Sequence, residues 1–199
     1  MKKFDQEYWE SRYKEQSTGW DIGFPSPPLQ TFIDGLPDKN IAILIPGAGY
    51  GHEAIYLFEQ GFTHVTVVDL SPSALLRISE KYPNFPEKQL ILGDFFEHKG
   101  SYDLILEQTF FCALSPELRE KYVLKMRELL KSKGILAGVL FDFPKTNDGP
   151  PFGGNPEEYR SLFEEYFAIK ILESCYNSVK PRQGKEVFFI FENETFPLK

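Results

Sequence analysis

The chain has 199 residues, 42% apolar and 16% aromatic, enough for one α/β domain with a full core but short of the second, substrate-binding domain that a dehydrogenase ordinarily carries. A net charge of −7, with no block of Lys and Arg to offset it locally, argues against a nucleic-acid backbone as partner. Nineteen Phe, ten Tyr and two Trp exceed what a core of this size needs, so some are expected to line a pocket.

The start, Met1-Lys2-Lys3-Phe4-Asp5, lacks the apolar stretch of a signal peptide, and no apolar run approaches membrane-spanning length. The expectation is a cytoplasmic monomer with a small-molecule substrate, engaging neither membrane nor nucleic acid. Tyr8-Trp9-Glu10-Ser11-Arg12-Tyr13 and Thr18-Gly19-Trp20-Asp21 precede the first strand, so their aromatics are not needed to fill a sandwich of sheet and helices. They read either as a lid, with ring faces suited to a cation, or as a helix stapled to the sheet.

Ile41 to Ile45 is a continuous apolar run, as expected of a parallel strand buried on both faces. It breaks into Pro46-Gly47-Ala48-Gly49-Tyr50-Gly51, continues as a helix, and returns as the strand His64 to Asp69. Asp69 follows Gly49 by 20 residues, where an acid at a strand tip would meet a nucleoside ribose. A dinucleotide fingerprint needs a small residue at position 52, where this chain has His52, so the turn suits S-adenosylmethionine better than a pyrophosphate. A tight turn without a ligand is the alternative reading.

Further along, Ser71-Pro72-Ser73 opens a helix to about Glu80. Leu90 to Gly93 forms a third strand that delivers Asp94-Phe95-Phe96 to the ligand edge. Tyr102 to Leu106 forms a fourth, ending in Glu107-Gln108. A helix opened by Ser115-Pro116-Glu117 runs to about Leu130, stopped by Ser132-Lys133-Gly134, and a fifth strand spans Ile135 to Phe143. Pro156 to Phe167 reads as a last helix, and Ile169–Ser174 with Glu186–Phe191 as a closing hairpin-like pair. The fold class is α/β, a Rossmann-like, mostly parallel seven-stranded sheet with helices on both faces, in a single domain of residues 1–199 (amino-terminal lid 1–36, core 37–199). Gly47, Asp69, Asp94, Glu107 and Asp142 all fall at the carboxyl edge of such a sheet, where ligands bind.

Asp69 offers two oxygens to two ribose hydroxyls. Asp94 suits the adenine amino group, with Phe95 against the ring, or else is a turn-capping acid. Asp103 precedes its strand and belongs at the opposite end of the sheet. Cys112 and Cys175 lie in apolar segments without metal-ligand spacing, so reduced buried thiols and no metal are expected. His52, His64 and His98 show no triad or metal arrangement, and no catalytic residue is assigned.

Taken together, Trp9, Tyr13 and Trp20, the turn Ile45-Pro46-Gly47-Ala48-Gly49, Asp69, the segment Glu107-Gln108-Thr109-Phe110-Phe111-Cys112-Ala113-Leu114 and the loop Gly149-Pro150-Pro151-Phe152 resemble the thiopurine methyltransferase-like group of class I S-adenosylmethionine-dependent methyltransferases, and within it the halide and thiol methyltransferase branch. The likeness runs from Trp9 to about Phe191. It implies transfer of a methyl group from S-adenosylmethionine to a small soft nucleophile by in-line displacement, leaving S-adenosylhomocysteine. The cofactor residues implied are Trp9, Tyr13, Trp20, Pro46, Gly47, Ala48, Gly49, Asp69, Leu70, Asp94, Phe95, Glu107 and Gln108. Phe24, Phe110, Phe111 and Phe152 are the aromatics expected around the acceptor. Tyr13 stands where this group often has a second tryptophan, and Gln108 where members carry arginine or tyrosine near the substrate. A non-catalytic S-adenosylmethionine-binding protein and an NAD-dependent oxidoreductase are the other classes considered.

Overall fold

The computed structural model describes residues 4–146 and 149–194; Met1-Lys2-Lys3, on which the absence of a signal peptide was partly read, lies outside them. Seven strands, β1 (Ile43–Pro46), β2 (Val65–Asp69), β3 (Leu90–Leu92), β4 (Tyr102–Gln108), β5 (Leu130–Phe141), β6 (Ala168–Ser174) and β7 (Glu186–Glu192), form one sheet in the order β3-β2-β1-β4-β5-β7-β6. Its first five strands in space pair parallel, and β7 pairs antiparallel with both β5 and β6. The sheet is therefore mostly parallel, with an antiparallel pair closing one edge. The order reverses direction at β1, and beyond the carboxyl ends of β1 and β4 it leaves the crevice in which such sheets bind ligands.

Alternation along each strand divides the core between the two faces. Leu44, Ile105, Leu136 and Phe189 pack with Tyr122 and Met126 of α5 (Arg119–Leu129) and Phe163 of α6 (Pro156–Phe163). Ile43, Ile45, Val67 and Leu106 pack with Ile33 of α2 (Pro27–Asp34), Leu57 of α3 (His52–Glu59) and Ile78 of α4 (Pro72–Lys81). Helices on both faces explain why all four residues of β1 are buried. Among the described residues no helix is long and apolar enough to cross a membrane.

Several boundaries differ from the sequence reading: α5 begins at Arg119 after a 3-10 turn over Pro116–Leu118, and β5 spans Leu130–Phe141 where Ile135 to Phe143 was expected. The helix before β5 ends at Leu129, and Ser132-Lys133-Gly134 lie within an irregular start of β5 rather than forming a helix stop. There the Asn193 side-chain amide donates to the Leu130 and Lys131 carbonyls, at 2.9 and 3.1 Å, satisfying groups that a glycine cap would otherwise serve. The last helix stops at Phe163, four residues early, although the Phe167 N–H still bonds the Phe163 carbonyl at 2.9 Å. Asp103 lies at the amino end of β4, as expected, accepting the Ala42 N–H and pairing with Lys131.

The amino-terminal helix α1 (Gln6–Lys14) is fastened to α4 by one carboxylate. Glu10 accepts the Ser71 hydroxyl at 2.6 Å, the Ser73 hydroxyl at 2.7 Å and the Ser73 N–H at 3.2 Å, at the first turn of α4. The two hydroxyls are the main reason its pKa falls to about 2. A carboxyl lowered on folding stabilises the folded state fully above its ordinary value of 4.5, and the contribution fades as pH falls toward 2. Glu10→Ala is therefore expected to release α1 without unfolding the core. Limited proteolysis at neutral pH should cut the segment before Pro25 several-fold faster in the variant, with little change in the midpoint of global unfolding; equal cleavage rates would show that the aromatic contacts alone hold the helix.

Candidate active site

Gly47 and Gly49 shape the turn that follows β1. Both have φ of +58°, a conformation that costs little only for glycine. A Cβ on Gly47 would lie 2.3 Å from the Phe110 ring, and one on Gly49 would lie 3.4 Å from Trp20 Nε1 and 3.7 Å from the Tyr13 hydroxyl. The turn is thus packed between the loop after β4 and the amino-terminal aromatics, and Gly47 donates to the Val68 carbonyl at 2.8 Å, which ties it to β2.

Asp69 ends β2 with its side chain buried. One oxygen accepts the Ser71 N–H at 2.8 Å, the other the Gly49 N–H at a long 3.4 Å. Burial outweighs these donors and pushes its pKa up to about 6, and the nearby Glu10 charge acts in the same sense. Leu70, next to it, is partly exposed.

The aromatics expected as a lid do meet. The Trp20 ring lies 5.7 Å from Trp9 and 5.6 Å from Tyr13, all edge-on, and the Tyr13 hydroxyl is held protonated by burial and by the Asp69 charge. Two clips absent from the sequence reading fasten this segment. Arg182 donates to the Trp20 carbonyl at 2.7 Å and pairs with Glu186. Asp21 contacts His52 Nε2 at 2.7 Å, and the other nitrogen of the same ring lies 3.2 Å from the Lys81 ammonium. His52, the residue that breaks the dinucleotide pattern, thus bonds the amino-terminal segment. Beneath these clips lies a pocket lined by Trp20, Phe24, Gly47, Gly49, His52 and Gln108 among others. Gln108 Oε1 is buried there without a hydrogen-bond partner among the described residues, which calls for a ligand or water. Glu53, also in the wall, accepts the Ser26 N–H at 2.8 Å and is raised by burial.

Several expected site residues lie elsewhere. Glu107 is fully buried and turned away from the pocket: its Oε1 accepts the Phe110 and Phe111 N–H groups at 2.7 and 2.9 Å, and Oε2 accepts the Tyr122 hydroxyl at 2.6 Å. It organises the loop instead of presenting its carboxylate to a cofactor. Phe95 is 3% exposed, its ring 5.1 Å from Phe110, so its ring belongs to the core rather than to an open adenine face. Asp94 is exposed at the end of β3 and caps its own turn, accepting the Phe96 N–H at 2.8 Å. Of the four acceptor-side phenylalanines only Phe24 lines the pocket. Phe110 supports Gly47, Phe111 is packed between Tyr122 and the Arg119 guanidinium, and Phe152 packs against Phe4 with its N–H on the Cys112 carbonyl. The rule that aromatics near a site line it fails here because the loops carrying them must also be anchored to the core.

The structure is similar to the solved Burkholderia thailandensis 1,6-didemethyltoxoflavin-N1-methyltransferase, crystallised with its substrate and S-adenosylhomocysteine: TM-score 0.75, 17% identity, covering 95% of this chain and 87% of that one. That likeness is one of fold: a mostly parallel seven-stranded α/β sheet with a glycine turn after β1 and an acid at the tip of β2. In sequence, the chain is 30% identical over 185 residues to thiocyanate methyltransferase 1 of Brassica oleracea, covering 89% of this chain and 81% of the relative. It is 27% identical over 193 residues to the thiopurine S-methyltransferase of Acinetobacter baylyi, covering 84% and 87%. The sequence profile of the thiopurine S-methyltransferase family matches residues 4–198, and the chain belongs to that family.

Burial raises Glu107 to about 7, against the pull of its three donors. Truncating it leaves the Phe110 and Phe111 N–H groups and the Tyr122 hydroxyl without their acceptor. Glu107→Ala should cost about 3 kcal/mol in urea unfolding, well above a surface substitution, and a loss below about 1 kcal/mol would mean the loop holds itself.

Proposed function

We propose that this enzyme methylates a small soft nucleophile, a thiol, thiocyanate or halide, as a cytoplasmic monomer whose residues 1–36 close over a core of residues 37–199. The observation that carries the reading is the Gly49 to Asp69 contact beneath Trp20: a turn open enough for close backbone approach, backed by an acid and roofed by aromatic rings. The donor set fits S-adenosylmethionine. Asp69 retains acceptor capacity for two ribose hydroxyls, Gly47 to Gly49 admit the ligand backbone-close, and Trp9, Tyr13 and Trp20 offer ring faces and edges near a sulfonium. Asp94 has one oxygen unused by its turn, available to an adenine amino group. Gln108 Oε1 is a buried acceptor awaiting a donor. Bound S-adenosylmethionine supplies a methyl group on a sulfonium, which a nucleophile takes in line as the carbon–sulfur electrons leave with the thioether.

The chain's own contribution is alignment and water exclusion. Alignment alone supports effective molarities on the order of 10⁵ M. An anionic nucleophile loses charge as it reacts, so the aromatic wall at Trp20 and Phe24 favours it over a solvated encounter. Both nitrogens of His52 are engaged, by Asp21 and Lys81, and His98 is engaged by Tyr102, which supports a mechanism without a histidine base. Relatives named thiocyanate methyltransferase and thiopurine S-methyltransferase support the acceptor class.

Two measurements test this. With thiols the reacting species is the thiolate, so kcat/KM for two thiols of well-separated pKa should rise through each thiol's own value between about pH 6 and about pH 9.5. Profiles that turn at one shared pH would reveal an enzyme group taking the proton. Separately, Asp69 holds ligand hydroxyls only as a carboxylate, so S-adenosylhomocysteine affinity should rise as pH climbs through about 6 and level off above it. Asp69→Asn should flatten that dependence, and Asp69→Ala should lose roughly 2–4 kcal/mol of calorimetric binding energy with the fold intact; unchanged affinity would remove Asp69 from the cofactor site.

A further inference from the structure

Among the described residues, three other than glycine have left-handed φ: Gln16, Thr109 and Lys133. Gln16 and Lys133 are unbranched and exposed. Thr109 is β-branched and half-buried, with φ of +58°, a conformation in which a branched Cβ crowds the backbone. The turn itself does not require threonine. Glu107 imposes it by taking the N–H groups of the next two residues, and the only bond from the threonine side chain runs to the neighbouring Gln108 carbonyl, at 2.7 Å. Glycine would adopt the same backbone more easily, so the side chain is held against its own preference at a site where such tension commonly serves function.

Its position shows what it does. On one side lies the pocket beneath the glycine turn. On the other, between the ends of β4, β5 and β7, lies a narrow recess walled by Glu107, Cys112, Val139, Phe141 and Glu186. Thr109 is the one described residue that lines both. The recess is apolar along β5 and acidic at Glu107 and Glu186, so it suits an uncharged ring better than an anion.

We infer that Thr109 is a specificity-determining residue: its side chain partitions the recess from the cofactor pocket and so restricts the acceptor to small nucleophiles. The inference rests on the acceptor class proposed above. Without the partition the two spaces join, and the ring of an aromatic thiol gains a seat.

The test compares wild type, Thr109→Gly and Thr109→Val in three measurements: thermal midpoint, S-adenosylhomocysteine affinity, and the ratio of kcat/KM for thiophenol to that for hydrosulfide. Thr109→Gly should raise the midpoint by about 2–4 °C by relieving the backbone, and leave ligand affinity within about twofold. The thiophenol to hydrosulfide ratio should rise about tenfold or more, while Thr109→Val, of equal shape, keeps the wild-type ratio. A lowered midpoint in Thr109→Gly, an unchanged ratio, or a valine variant that shifts as far as glycine overturns the inference. Wild-type enzyme that methylates none of thiophenol, hydrosulfide, thiocyanate and iodide overturns the acceptor class and this inference with it; wild-type enzyme that methylates thiocyanate or iodide but neither thiol, or both thiols with the glycine variant unchanged in ratio, overturns the inference alone.

Discussion

One buried carboxylate organises the ligand edge of this protein. Glu107 sits at the end of β4, where the chain must leave the sheet and turn beneath the glycine loop. Backbone N–H groups in such a turn have no strand partner, and burying them unpaired is costly. By accepting two of them and the Tyr122 hydroxyl, the carboxylate joins the β4 loop to α5 and fixes the Phe110 ring against Gly47. The shape of the turn after β1, the left-handed backbone of Thr109 and the placement of Gln108 in the pocket wall all follow from that anchor. A charge placed so deep pays in desolvation, which shows in its raised pKa, and it is retained where hydrogen bonds to a loop have no apolar substitute.

The amino-terminal segment is held by a different logic, of separate polar clips around an aromatic cluster. Glu10 reaches α4, Asp21 reaches α3 through His52, and the Trp20 carbonyl reaches Arg182 from the turn before β7. The edge-on rings of Trp9, Tyr13 and Trp20 fill the space between these points. These clips are polar bonds at the margin of the core, part-buried at Ser71 and Arg182 and exposed at His52.

What the sequence made legible was local. Continuous apolar runs marked the strands, Pro46 to Gly49 marked the turn, and Asp69 followed at the spacing a sheet of this kind requires. Side-chain direction at the loops was not legible, because it depends on partners far along the chain. Glu107 reads as one more acid at the ligand edge until Tyr122 is brought beside it. Phe111 and Phe152 read as pocket aromatics until Arg119, Tyr159 and Phe4 close around them. Arg182 lies in a stretch that reads only as a turn, and nothing near it in sequence announces that it reaches the Trp20 carbonyl. Thr109 carried no signal in composition or spacing, since an unusual φ is a property of the folded chain alone.

Ser71 serves two carboxylates at once: its N–H goes to Asp69 and its hydroxyl to Glu10. The residue at the β2 tip and the one that moors α1 therefore draw on two donors of a single residue, and each carboxylate raises the electrostatic cost of the other. Loss of the Ser71 hydroxyl would therefore reach Glu10 directly and Asp69 only through the backbone, so a single position separates what holds α1 from what faces the tip of β2.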